Sequence, residues 1–238
     1  ARLALLARGE VQFLRVPARD GTPLDAWVMT PPAFDSTRRY PVLFNIYGEP
    51  AAQTVLDAWN GDYLWHLMLT QQGYIVASID NRGTPAPRGR AWRRSIYGAI
   101  GVLSSADQAD GVRALAKRFP YIDSTRVGVW GWSGGGSMTL NLMFRSPDLY
   151  KVGMAVAPVA DERLYDTIYQ ERYMGLPQDN VAGYKAGSAI NFAEGLKGHL
   201  LVVHGSGDDN VHYQGTERLV NRLVALGKKR GIRMRFFH

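Results

Sequence analysis

Cysteine is absent from the 238 residues, so disulfides and thiolate metal sites are excluded. Long apolar runs are absent too: Arg, Asp or Gly interrupts each one well short of a membrane span. The apolar start, Ala1 to Arg8, is too short for a signal-peptide core and has no cleavage region after it. The chain does not begin with Met and reads as a piece of a longer protein. No H-E-x-x-H or similar ligand spacing occurs, so no metal and no organic cofactor is expected. Internal repeats and low-complexity linkers are also missing, which points to one domain.

What is present is ordinary globular composition, 46% hydrophobic and 21% charged, with a net charge of +7. Two basic clusters stand out: Arg88, Arg90, Arg93 and Arg94, then Lys228, Lys229, Arg230, Arg233 and Arg235. They lack the aromatic interleaving of a single-strand binder, and no nucleic-acid motif accompanies them. They are read as solvated loops, a helix end and a surface turned toward a missing domain, with no nucleic-acid partner.

Strand-like and helix-like segments alternate. Val11 to Val16 and Leu24 to Met29 read as strands around the turn Arg19-Asp20-Gly21-Thr22. Pro41 opens the apolar strand Val42 to Tyr47, whose composition suits burial on both faces. The spacing predicts helices over Tyr63–Gln71, Ala106–Phe119, Gly135–Phe144 and Tyr213–Leu226. Strands are predicted over Tyr74–Ile79, Val127–Trp130, Val152–Val156, Leu200–His204 and Arg233–Phe237. Asn81 to Gly101 reads as a long loop with at most one helical turn, and Pro158 to Phe192 as a helical excursion with loops. This order implies a mostly parallel, twisted sheet with helices on both faces.

Gly131-Trp132-Ser133-Gly134-Gly135 falls between a predicted strand and a predicted helix. That is the context which gives a G-x-S-x-G pattern chemical meaning: the nucleophile elbow of an α/β-hydrolase fold. Ser133 is the candidate nucleophile, and the backbone N–H of Gly134 is a candidate oxyanion donor. A phosphate-binding turn is the competing interpretation, but the G-x-G-x-x-G spacing and the P-loop Lys are both missing. The acid should come after Ser133 in chain order, in a loop following a later strand. Asp208 and Asp209 both qualify; one is expected to serve as acid and the other to cap the helix at Tyr213.

Four stretches carry a resemblance: Gly131 to Gly136, Ala155 to Val159, Tyr165 to Pro177, and His204 to His212. With the Asp20-Gly21-Thr22 turn and Tyr40-Pro41-Val42, they make the chain similar to the prolyl oligopeptidase superfamily of serine peptidases, nearest its dipeptidyl peptidase IV branch. The resemblance implies that Tyr47 is the second oxyanion donor and Asp208 the acid. It implies that Trp132, Val159, Tyr165, Tyr169 and Val211 line a pocket for a penultimate proline or alanine, and that Asn210 holds a substrate carbonyl. Without that motif, Tyr165 and Tyr169 would read as packing at i, i+4 spacing. The family often carries Tyr after the nucleophile, where this chain has Gly134; the pocket is then roomier, or another side chain fills it.

The resemblance also implies a peptide substrate, an upstream β-propeller that grips the substrate's amino terminus, and a periplasmic or secreted location. Surface left bare by the missing propeller is expected to favour self-association, a homodimer being the simplest form. The general base should be a histidine beyond the last strand. His66, His199, His204, His212 and His238 do not suit that position, so the base is expected after residue 238 and the chain by itself is expected to be nearly inactive. Other readings are a tripeptidyl, acylaminoacyl or endo-acting peptidase, an esterase, and a non-catalytic hydrolase-like binding module.

Overall fold

The computed structural model describes residues 5–228 and 231–237. Lys229, Arg230 and His238 lie outside them. All eight strands join one sheet in the order β1-β2-β4-β3-β5-β6-β7-β8. The strands are β1 (Val11–Pro17), β2 (Pro23–Met29), β3 (Tyr40–Asn45), β4 (Ile75–Asp80), β5 (Ile122–Trp132), β6 (Val152–Val156), β7 (His199–Gly205) and β8 (Ile232–Phe237). β1 and β2 form an antiparallel hairpin, and β2 runs antiparallel to β4. From β4 to β8 every pairing is parallel. This is the expected mostly parallel α/β sheet.

The helices are α1 (Tyr63–Gln71), α2 (Gly89–Arg94), α3 (Val102–Arg118), α4 (Gly134–Arg145), α5 (Thr167–Met174), α6 (Val181–Gly187) and α7 (Gln214–Ala225). Alternation along β2 shows how the faces divide. Ala26 and Val28 join the main core with Val112, Leu140, Leu142 and Leu219, from α3, α4 and α7. Trp27 and Met29 point the other way and pack with Leu69 of α1 and Val76. Every residue of β4 is buried, as expected of a strand covered on both sides.

Several predicted boundaries moved. α1 and β6 fall where periodicity places them, but β3 ends at Asn45, so Tyr47 stands in the following loop. The predicted loop after β4 contains α2, a six-residue helix and so more than a single turn. Its buried Trp92 is covered by the Arg88 guanidinium, 4.1 Å from the ring centroid; this cation–π contact is invisible to apolar periodicity. Just before α2, Arg82 pairs with Asp107 of α3 at 2.6 Å and with Asp20 at 2.7 Å, tying the β1–β2 turn to the helix layer. Arg88 bonds Asp25 and the Pro23 carbonyl, so part of the first basic cluster is structural. Among the described residues no helix is long and apolar enough to cross a membrane.

Candidate active site

Ligand sites in parallel α/β sheets lie outside the carboxyl ends of the strands. The loops after β3, β5, β6 and β7 here bring Tyr47, Ser133, Val159 and Asp208 to that edge. Ser133 sits between β5 and α4 with φ 57° and ψ −118°, a strained left-handed conformation for a residue with a side chain. Its N–H donates to the Val156 carbonyl at 2.9 Å. The glycines beside it follow from the end of β3. A Cβ on Gly131 would stand 2.4 Å from the Ile46 carbonyl oxygen, and one on Gly135 only 2.2 Å from it. The elbow therefore passes so close to the neighbouring backbone that only glycine fits.

The Tyr47 hydroxyl lies within hydrogen-bonding reach of the Ser133 side chain and the Gly134 N–H. Burial, reinforced by the neighbouring Glu49 carboxyl, pushes the phenol up to about 12, so it keeps its proton at neutral pH. A phenolic O–H and a backbone N–H thus meet beside Ser133 at the head of α4, where the helix dipole also favours negative charge.

After β7, one oxygen of Asp208 (Oδ1) accepts the N–H groups of Asn210 at 3.1 Å and Val211 at 2.9 Å. The other, Oδ2, is 3.4 Å from Nε2 of His204. Nε2 lies closer, 2.8 Å, to the Val211 carbonyl, which can only accept. Nε2 therefore carries the hydrogen, and Nδ1 pairs with the Thr216 hydroxyl at 2.7 Å. His204 is a buried strut of this loop. The expected division of labour between the two aspartates fails in one respect. α7 begins after Tyr213 without a side-chain cap, so Asp209 does not cap it; the turn at Asp208 intervenes and the helix starts farther on.

Tyr165 and Tyr169 meet edge to face with centroids 5.4 Å apart. The Tyr165 hydroxyl donates to Oδ1 of Asn210 at 2.9 Å, joining the helical excursion to the Asp208 loop. Val159 is buried, and its N–H donates to Oγ of Ser137 at 2.9 Å. Val211 is buried. Trp132 departs from the expected cluster: it is 64% exposed and lines, with Trp65, Trp130 and Asp208, a groove of about 870 Å³. Successive strand residues point to opposite faces, so a residue immediately before the elbow turns away from the side that Gly131 faces.

Sequence reasoning missed Glu49. Its Oε2 accepts from the Tyr169 hydroxyl at 2.9 Å. The available signal was an acid inside the glycine- and proline-bounded loop Gly48-Glu49-Pro50. It also missed Glu162, which is buried near it and bonded to Gln170. Burial pushes the Glu49 carboxyl up to about 7 and Glu162 well above its ordinary range. The sign follows from linkage. A carboxyl whose folded pKa is raised contributes its stability below the unfolded value, and that contribution is lost as pH rises through the folded value. Stability to urea is expected to fall between pH 5 and 8, by about 1.4 kcal/mol per unit of raised pKa. Glu49→Gln should flatten that fall; an unchanged slope in the variant would contradict it.

Among the described residues no group of His, Cys, Asp and Glu could hold a metal ion, and no histidine is hydrogen-bonded to Ser133. Comparisons with known proteins agree with the elbow and the sheet. The chain is 42% identical over 210 residues to a probable dipeptidyl-aminopeptidase B of Arthroderma gypseum, covering 87% of this chain and 23% of that protein. It is 39% identical over 222 residues to a probable dipeptidyl peptidase 4 of Neosartorya fischeri, covering 91% and 29%. The crystal structure of Porphyromonas gingivalis dipeptidyl peptidase 4 superposes with a TM-score of 0.94 at 42% identity, over 99% of this chain and 33% of that one. The chain thus spans less than a third of the curated relatives' length. The model of the prolyl oligopeptidase family matches residues 62–238, from α1 through the elbow and the Asp208 loop, and the chain belongs to that family.

Proposed function

We propose that the chain is the catalytic part of a serine exopeptidase that removes N-terminal dipeptides after a penultimate Pro or Ala. The observation that carries this reading is the meeting of Ser133, the Gly134 N–H and the Tyr47 hydroxyl at the sheet edge, alongside the wall made by Tyr165 and Tyr169. The names of the similar proteins, dipeptidyl-aminopeptidase and dipeptidyl peptidase, support it.

Ser133 Oγ attacks the carbonyl carbon, and its proton passes to a base and on to the leaving amine. The oxyanion is held by Gly134 N–H and Tyr47 O–H, and water then hydrolyses the ester. Aromatic walls suit a proline ring, which is apolar and has no N–H to satisfy. Because Oδ1 of Asn210 already accepts from Tyr165, its amide nitrogen is left to donate to a substrate carbonyl. Asp208 is the acid in this scheme: Oδ1 is held by two backbone N–H groups, and Oδ2 is the oxygen left for an imidazolium. The base is a histidine in chain that follows β8, so residues 1–238 alone hydrolyse poorly. An upstream β-propeller grips the substrate's amino terminus, the complete protein forms a homodimer, and it works in the periplasm or outside the cell. Hydrolysis by residues 1–238 that disappears in His238→Ala would overturn the placement of the base.

The test is a substrate panel on the full-length protein. Free-amino Xaa-Pro and Xaa-Ala anilides should be cleaved faster than their N-acetylated forms and faster than p-nitrophenyl esters. Preference for blocked peptides or esters would sink the reading. Tyr47→Phe should lower kcat by ~10²-fold with KM changed by less than ~3-fold, since the phenol acts on charge that develops in the transition state.

A further inference from the structure

The family's residue after the nucleophile is missing here, and Glu49 occupies its space. A Cβ on Gly134 would stand 2.9 Å from Oε2 of Glu49 and 3.0 Å from the Tyr47 ring. The carboxyl is buried, 5% exposed, and held on two sides. Tyr169 donates to it at 2.9 Å, and the Ser137 side chain bonds it from the first turn of α4. Ser137 in turn accepts from the Val159 N–H at 2.9 Å. The loop that carries Glu49 is pinned from below, where the buried Asn81 donates to the Gly48 carbonyl at 2.9 Å. Glu49 thus links Tyr169 on α5, Ser137 on α4 and Val159 after β6.

We propose that Glu49 is the positioning and specificity-determining residue of the substrate pocket: its neutral carboxyl stands where a side chain at position 134 would stand, and it sets the place of Tyr169 and the depth of the pocket. The proposal rests on the dipeptidyl peptidase reading for the identity of the substrate, but the spatial exchange between Glu49 and residue 134 does not.

Hydrogen-bond accounting favours the neutral form. Ser137 has one proton and two acceptors in reach, Glu49 and the Ser133 carbonyl at 3.2 Å. When that proton goes to Ser133, the bond to Glu49 needs a hydrogen from the carboxyl itself. The second carboxyl nearby, Glu162, opposes a charge on Glu49, and burial acts in the same direction. Among the described residues neither carboxyl has a Lys or Arg partner. Glutamine has nearly the same shape, can accept from Tyr169 and can donate to Ser137.

The test uses the full-length protein with Glu49→Ala, Glu49→Gln, Gly134→Ala and the Glu49→Ala/Gly134→Ala double variant. Glu49→Ala is expected to raise KM for Xaa-Pro substrates by ~10-fold with kcat changed by less than ~3-fold. It should also shift preference toward penultimate residues bulkier than proline. Glu49→Gln should restore KM and selectivity. Gly134→Ala should lower kcat/KM by ~10-fold or more alone, yet cost less in the Glu49→Ala background, because the clash with the carboxyl is gone. Equal KM and selectivity in Glu49→Ala and the parent, or strictly additive effects in the double variant, would overturn the proposal. The rate of labelling by a fluorophosphonate reads the same double-variant cycle without any peptide. If the parent is labelled but does not cleave dipeptides, the substrate reading has failed while the coupling of positions 49 and 134 is still measured. If it cleaves and the cycle is additive, only the role of Glu49 has failed.

Discussion

Ser133→Ala is expected to lower kcat/KM of the full-length protein by on the order of 10⁵-fold or more and to abolish fluorophosphonate labelling. The size follows from where Ser133 stands. Its Oγ is the nucleophile in the proposed scheme, and nothing else at the elbow can take its place: Gly131, Gly134 and Gly135 have no side chain, and Trp132 points into the neighbouring groove. What survives the change is stabilisation by Tyr47 and Gly134 and the binding of substrate, which still accelerate attack by water. The fold should tolerate the substitution. Alanine is smaller than serine, the strained φ of 57° is disfavoured for both, and no other residue depends on Oγ except Tyr47. Thermal denaturation of parent and variant side by side checks this. Residual labelling of the alanine variant would show that another residue is the nucleophile.

Gly135→Ala tests the opposite property, a large effect on folding with no reacting group removed. A Cβ at this position would lie 2.2 Å from the Ile46 carbonyl oxygen and 3.2 Å from its carbon. Both are backbone atoms of the segment leading from β3 to Tyr47, so no side chain can rotate aside. Either α4 or the β3 end must move, and each belongs to the main core: Phe44 and Ile46 on one side, Met138 and Leu142 on the other. Overpacking of a close-packed core typically costs about 1–3 kcal/mol, and a backbone collision belongs at or above the upper end. The expected result is a loss of at least ~3 kcal/mol in urea denaturation, or failure to accumulate as soluble protein. Gly207→Ala is the control, because a Cβ there meets nothing within 4 Å. Equal stability of the two variants would contradict the account of the elbow.

These two positions show where the sequence is informative. Ser133 and its flanking glycines are legible because a strand, a tight turn and a helix follow one another within a short stretch, and the small residues record the collision they avoid. The same locality makes α1 and β6 readable from apolar spacing. Asp208 is legible for a related reason, since it follows a buried strand through a glycine turn. The pocket residues Val159, Tyr165, Tyr169, Asn210 and Val211 became candidates only through resemblance, since nothing in their own spacing separates a ligand wall from ordinary packing.

Tertiary structure decided the rest. α2 forms where a loop is expected because Arg88 covers Trp92 and pins Pro23 and Asp25, which lie more than 60 residues away. Trp132 leaves the pocket because the pleat of β5 turns it to the other face. Glu49 looks like a solvated loop acid until α5 places Tyr169 against it, 120 residues later in the chain. A sequence by itself determines which groups are available and which turns are sterically permitted, because those are properties of neighbouring residues. Whether a carboxyl is buried, whom it bonds and whether it keeps its proton depend on elements brought together by packing, and so on the fold alone.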